Sequence, residues 1–354
     1  MASRWQRQAR RWEVYTRRSL AMADGGPPWH RGLVAIATLV MAAVFGLFSD
    51  IPEAPVVALA LAFFMTMADL EGALANRLAM LAWSAAAIAL GGVASILCRD
   101  SQWLFAAVFC PLTFVAGLAA WAGAPFLQAT RFGLIVGLLM STVRELGAWD
   151  FLELCLVAVA IAAAVRTLEA VLAADLHPGE FATVRVALFK LRAARPLLWR
   201  YALSYMAVAG AAWTLGQVVD QVHPTWLTVS TLVVMWPDAA RSYERIVQRM
   251  FGTLAGAGLA VGLITVVPNP LVLSAVALSM AFFLPHFVRR NYWLHSALVV
   301  VFVLVCLDVS SKSGFTTHVV VERIGDVLLG CVFAMAGTLI AFGPTHRRAR
   351  SVLP

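Results

Sequence analysis

Charged side chains are scarce in this chain: they make up 13% of 354 residues, against 61% hydrophobic residues. That polar fraction is too small to cover a soluble globule of this length, which excludes a water-soluble domain and points to an integral membrane protein. The five cysteines, Cys98, Cys110, Cys155, Cys306 and Cys331, form no CxxC pair and no cluster with histidine at metal-ligand spacing. They read as packing residues, and no metal site is expected. No nucleotide-binding loop, nucleophile elbow or catalytic dyad occurs, so neither an enzyme nor an ATP-driven pump is expected, and no cofactor. A cleavable signal peptide is not expected either, because the first apolar run follows a long basic segment carrying tryptophan.

What charge there is has one sign and one distribution. The net charge of +8 comes from arginines between apolar runs and at both ends, not from one patch. That argues against nucleic acid and for the anionic inner face of a bilayer. Twelve apolar runs follow one another, so the expected fold class is an all-α integral membrane protein of about 12 transmembrane helices. Three runs, 53–68, 128–143 and 224–237, fall short of the about 20 residues of a full span. With the N-terminus inside, every one of the 27 basic residues except Arg99, Arg144, Lys312 and Arg323 falls on the cytoplasmic side. This is the asymmetry of the positive-inside rule, and it places both termini in the cytoplasm.

The expected organisation is a basic N-terminal segment (1–31), a first six-helix set (32–172), a polar connector (173–198), a second six-helix set (199–342) and a basic tail (343–354). The N-terminal segment reads equally as an amphipathic helix in the headgroup layer and as a solvated tail that fixes topology. A shift of 172 residues lays Pro52 on Pro224, Arg77 on Arg249 and Asp150 on Glu322. Six spans per set is an even number, so the sets would be parallel repeats related by an axis along the membrane normal. A pathway is then expected where the two sets meet.

The segment His223 to Ile264 is the most informative. It reads as two membrane runs joined at the water by a hinge bearing Arg241, Arg245 and Arg249, the second run containing Gly252-Thr253-Leu254-Ala255-Gly256. Together with Arg323-Ile324-Gly325-Asp326 at the start of the last run, this segment resembles the fusaric acid resistance (FUSC) family of bacterial inner-membrane proteins. That family is related to aromatic acid exporter membrane subunits and, more remotely, to aluminium-activated malate transporters. The resemblance implies export of organic, often aromatic, carboxylates, in some members with a periplasmic adaptor subunit. Many such exporters carry a large cytoplasmic domain after each six helices, and here only a connector and a tail stand in those places.

Charges at membrane depth are costly and so mark candidate sites. For an organic anion, the substrate-binding candidates are Arg77, Arg249, Arg131 and Thr253. A guanidinium matches a carboxylate with two parallel hydrogen bonds. Arg77 and Arg249 read equally as inside-positive anchors, and Arg131 as an interfacial residue should its helix begin there. Arg166 is expected to pair with Glu169. Proton-coupling candidates are Asp326, on the outer part of the last helix, Glu153 in the sixth run, and His286 beside Pro285. Trp226, Trp236, Tyr243, Phe283 and Trp293 are available to stack on an aromatic substrate, although an interfacial aromatic belt explains such residues too. Gly252, Gly256, Gly258 and Gly262 read as helix-packing positions.

The expected function is secondary efflux of small organic anions across the bacterial inner membrane. A passive anion channel and a non-transporting anchor for an envelope partner are the alternatives. Expected partners are the anion, the lipid bilayer, a periplasmic adaptor subunit and a second copy of the chain. If the matched arginines form an anion-collecting mouth, replacing Arg77 and Arg249 together by Gln abolishes organic-anion flux in liposomes while the protein stays folded. Unchanged flux removes that mouth.

Overall fold

The computed structural model describes residues 29–68, 73–173, 195–219, 223–267, 269–310 and 317–343. The expectations for the N-terminal segment before Trp29, for the connector over 174–194 and for the tail from 344 lie outside them.

Among the described residues twelve helices follow in order: α1 Trp29–Gly46, α2 Ala54–Met67, α3 Leu74–Cys98, α4 Gln102–Ala119, α5 Ala124–Met140, α6 Ala148–Leu172, α7 Arg195–Val219, α8 Trp226–Val234, α9 Ala239–Val266, α10 Pro270–Arg290, α11 Tyr292–Ser310 and α12 Thr317–Phe342. No strand occurs among the described residues. Nine of the helices, all but α2, α5 and α8, are long and apolar enough to cross a membrane. The protein is a multi-pass membrane protein. Its outer surface is apolar, with Leu33, Val56, Leu90, Leu97, Leu156, Val321 and Val332 among the exposed side chains. In a hydrocarbon solvent these are the faces that need no cover. Exposed tryptophans stand at helix starts at both ends, Trp29 and Trp199 at one and Trp103 and Trp149 at the other, where an indole suits the boundary with water. The end at which α1 begins is called the N-side below, and the opposite end the far side.

Helix starts follow local chemistry. Ser101 and Asn269 accept from the backbone N–H groups of Leu104 and Leu271, and Asp150 accepts from the N–H of Gly147. Asp238 does the same for Ala240, so α9 begins at Ala239. The piece 241–249, expected as a hinge at the water, is therefore helix. The run from Ala239 to Met250 contains no glycine or proline, and an aspartate capping two alanines starts a helix efficiently.

Packing repeats from one half of the chain to the other. In the first six helices α1 packs on α2 and α6, α2 on α6, α3 on α5 and α6, and α4 on α5. In the last six α7 packs on α8 and α12, α8 on α12, α9 on α11 and α12, and α10 on α11. Between the sets, α4 lies on α7 and α10 on α1. The middle is filled by apolar side chains, with Phe63 of α2 stacked on Phe302 of α11 at 5.7 Å and Val229 and Val233 of α8 packed against the α1–α2 core.

Glycine sets the closest helix approaches. A Cβ on Gly91 of α3 would meet the Gly133 carbonyl oxygen of α5 at 2.1 Å, and one on Gly252 or Gly256 of α9 would meet the Trp293 or Ala297 carbonyl oxygen of α11 at 2.2 or 2.5 Å. Gly258 and Gly262 face open space, so only the first of the two GxxxG steps on α9 is used for packing. Gly252→Ala and Gly256→Ala should each cost about 1–3 kcal/mol through forced helix separation. Gly258→Ala and Gly262→Ala should be neutral or stabilising by up to about 1 kcal/mol. Thermal unfolding of the purified protein in detergent checks the contrast.

Candidate functional site

A helix that ends within hydrocarbon leaves its last carbonyls without water. The 14 residues of α2 and the 9 of α8 span only about 21 Å and about 14 Å, against a hydrocarbon thickness of about 30 Å. Both start at the far side, and both end on buried polar side chains. At the end of α2, Arg166 of α6 donates to the Met65 carbonyl and Gln128 of α5 to the Met67 carbonyl. At the end of α8, the Met235 carbonyl accepts from Arg131 of α5 and, at 3.2 Å, from the Tyr201 hydroxyl, while Tyr205 donates to the Leu232 carbonyl at 3.1 Å. A cation at a helix C-terminus is also favoured by the helix dipole. These contacts fix Arg131, which is 8% exposed. Because α5 begins at Ala124, Arg131 lies two turns inside the helix and not at its start.

The chain after α8 then presents Trp236 to three guanidinium groups. Arg131, Arg245 and Arg241 lie 4.7, 5.4 and 5.9 Å from its ring centre, and Arg245 also stands 3.9 Å over Tyr292. Arg241, Arg245 and Arg249 are spaced by four along α9, so one stripe of that helix carries guanidinium from the exposed N-side inward. Arg241 has Asp238 at 4.0 Å as a loose exposed partner. Among the described residues, Arg131 Nε, the Trp236 indole N–H and the Tyr292 hydroxyl have no hydrogen-bond partner. The arrangement is a cationic, aromatic recess at the N-side where α5 of one set meets α8 and α9 of the other. It can take up negative charge attached to a flat ring.

The other expected site residues fall in different places. Arg77 is buried in the first turn of α3 and pairs with Glu169 of α6 at 2.5 Å; His30 adds a contact to the same carboxylate at 3.4 Å. Glu169 thus goes to Arg77 instead of Arg166, which serves the α2 carbonyl. Arg249 and Thr253 are buried on α9, facing α11 and α12. The equivalent arginines of the two halves are not brought together. Asp326 is buried on α12, Glu153 is exposed on α6, and His286 is half-buried edge-on to Phe287 at 4.8 Å.

At the far side the sequence reading missed a cluster. Glu322 receives His318 at 2.8 Å and His223 at 3.6 Å, and His223 stacks on Trp226 at 4.0 Å, with Arg323 over the same indole at 4.5 Å. The spacing of His318 and Glu322 by four was a visible signal. The approach of His223 from the loop before α8 was not.

Residues 211–337 match the model of a family described as fusaric acid resistance protein-like. This part of the chain is similar to that family. No curated protein and no solved structure matches the chain. The fusaric acid resistance protein-like segment runs from α7 into α12 and contributes Trp236, Arg241, Arg245, Arg249, Thr253, Arg323 and Asp326. Arg77 and Arg131 come from outside it. The similarity suggests a role in membrane transport or resistance.

Removing one member of a buried ion pair strands the other, at a cost of about 3–5 kcal/mol. Arg77→Gln should therefore lower thermal stability markedly, and Arg77→Gln combined with Glu169→Gln should restore most of the loss. Loss of stability in the double variant equal to that of the single one would show that Arg77 is not held there by Glu169.

Proposed function

We propose that the chain is a secondary efflux transporter of small organic anions, with aromatic carboxylates as the best-fitting class, in a bacterial inner membrane with the N-side facing the cytoplasm. The observation that carries this is the convergence of Arg131, Arg241 and Arg245 on Trp236 and Tyr292. Three like charges around one indole repel one another, and an incoming carboxylate relieves that repulsion while its ring lies against the aromatics. The recess also lies where the two halves touch, which is where alternating access would act.

We read the halves as parallel repeats. In support, the helix pairings of α1–α6 recur in α7–α12, and α2 and α8 are short helices at corresponding positions, a feature of transporter binding regions. The apolar contact of Phe63 with Phe302 closes the middle in this conformation, so passage requires the halves to move against each other. That favours a transporter over an open channel. For proton coupling we take Asp326, a buried carboxylate in the same half as the arginine stripe, ahead of Glu153 and His286.

In proteoliposomes, benzoate efflux should fall at least about tenfold in Arg245→Gln and in Trp236→Ala, with one charge-assisted contact or one stacking face removed. A proton gradient should drive benzoate accumulation by the unmodified protein. Flux that never exceeds equilibration would identify a channel, and absence of any anion flux would leave the anchoring reading.

A further inference from the structure

Arg249 is 4% exposed, yet it makes no hydrogen bond and no ion pair among the described residues, and its Nε is buried without a partner. One turn on, Thr253 is 1% exposed with its hydroxyl unpartnered. Across from these, Ser296 of α11 is fully buried and its hydroxyl is unpartnered too; its Cβ lies 2.8 Å from where a Cβ on Gly252 would stand. On α12, Arg323 is 5% exposed, with Nε and Nη1 unpartnered among the described residues, the Trp226 ring against its guanidinium and Asp326 within electrostatic reach. Arg249 is within electrostatic reach of Arg323 and of His295. All of these groups can donate a hydrogen bond, and two are obligate cations. Buried donors of this kind are normally satisfied, and an unpaired buried charge is among the costliest arrangements a protein can hold. Two carboxylates lie on this stretch of α12: Glu322 is taken by His318 and His223, and Asp326 stands within electrostatic reach of Arg323, which leaves one buried negative charge beside two guanidinium groups.

The geometry points to a second anion-binding site, enclosed within the second half between α9, α11 and α12, that holds one compact monovalent anion: a halide or the carboxylate head of a small organic acid. It is separate from the recess around Trp236, in which the indole and Tyr292 supply ring contacts and Arg131 comes from the first half. The inner site is built from one half alone, and its one indole, Trp226, is already covered by the Arg323 guanidinium and the His223 ring. Arg249 and Arg323 supply charge, and Thr253 and Ser296 supply neutral donors at short reach. The close approach of α9 to α11 that Gly252 permits brings Ser296 to the arginine-bearing face. This site stands on the unsatisfied donors and is independent of whether the chain transports anything.

The test uses the full chain, purified in detergent in a gluconate buffer, and titrates it separately with sodium bromide and sodium benzoate. Melting temperature and calorimetric heat are the readouts. Saturable binding of one equivalent of bromide per chain is expected for the unmodified protein, and of one equivalent of benzoate beyond that taken by the recess around Trp236, which is the equivalent that remains in Trp236→Ala. Arg249→Gln and Thr253→Val should each weaken it by about ten- to a hundred-fold, since each removes a donor to a charged acceptor. Binding of bromide and benzoate alike identifies the compact-charge chemistry with both sources admitted. Binding of bromide alone identifies a halide site, and binding of benzoate alone a carboxylate site. No saturable binding of either anion overturns the proposal, as does binding that Arg249→Gln and Thr253→Val both leave unchanged. Anion binding without benzoate flux in proteoliposomes upholds this site and removes the transport reading. Flux without binding removes the site and leaves transport intact.

Discussion

A carbonyl oxygen at the end of a helix must find a donor, and in hydrocarbon water cannot supply one. Two helices of this protein, α2 and α8, are too short to carry their last turns to the far boundary of a bilayer, and the rest of the arrangement answers to that. The long helices α5, α6 and α7 deliver Gln128, Arg131, Arg166, Tyr201 and Tyr205 to those ends. Because α5 serves the ends of both short helices, it ties the two halves of the chain through polar contacts, whereas the middle is held by the apolar packing of Phe63, Phe302 and Val233. A buried guanidinium at a helix C-terminus meets both needs at once, donating to the carbonyl and opposing the helix dipole.

Against that background the buried arginines separate by what they touch. Arg166 and Arg131 end helices, and Arg77 is neutralised by Glu169. Among the described residues Arg249 caps no helix and meets no carboxylate, Arg323 has Nε and Nη1 unmet beside the Trp226 ring, and the hydroxyls of Thr253 and Ser296 have no partner. These four side chains all lie in the fusaric acid resistance protein-like segment, on α9 and the two helices that pack on it, α11 and α12.

Much of the fold was legible in the sequence, because a helix in lipid must announce itself as an apolar run. All twelve runs are helices, and the short ones at 53–68 and 224–237 are the helices whose ends need capping. The boundary of α9 was misread because arginines at 241, 245 and 249 look like a watery hinge. Their spacing by four, the alanines before them and the cap at Asp238 carried the opposite signal. Site residues were harder to read. Arg249 and Arg131 were recognisable as charges among apolar neighbours, but Arg77 carried the same signature and is committed to Glu169, 92 positions away. Which arginine is free depends on contacts between distant helices, and neither periodicity nor composition encodes those. The ring of guanidinium groups at Trp236 was hidden for the same reason, since Arg131 reaches it from 105 positions earlier in the chain.

The division between capping and unpaired arginines is tested most directly by thermal unfolding of two variants in detergent without added halide or carboxylate, Arg166→Met and Arg249→Met. Loss of the cap leaves the Met65 carbonyl unmet and should destabilise Arg166→Met by about 1–3 kcal/mol. Loss of an uncompensated buried charge should leave Arg249→Met as stable as the unmodified protein or more so. Equal destabilisation of both variants, or greater loss in Arg249→Met, would contradict the division.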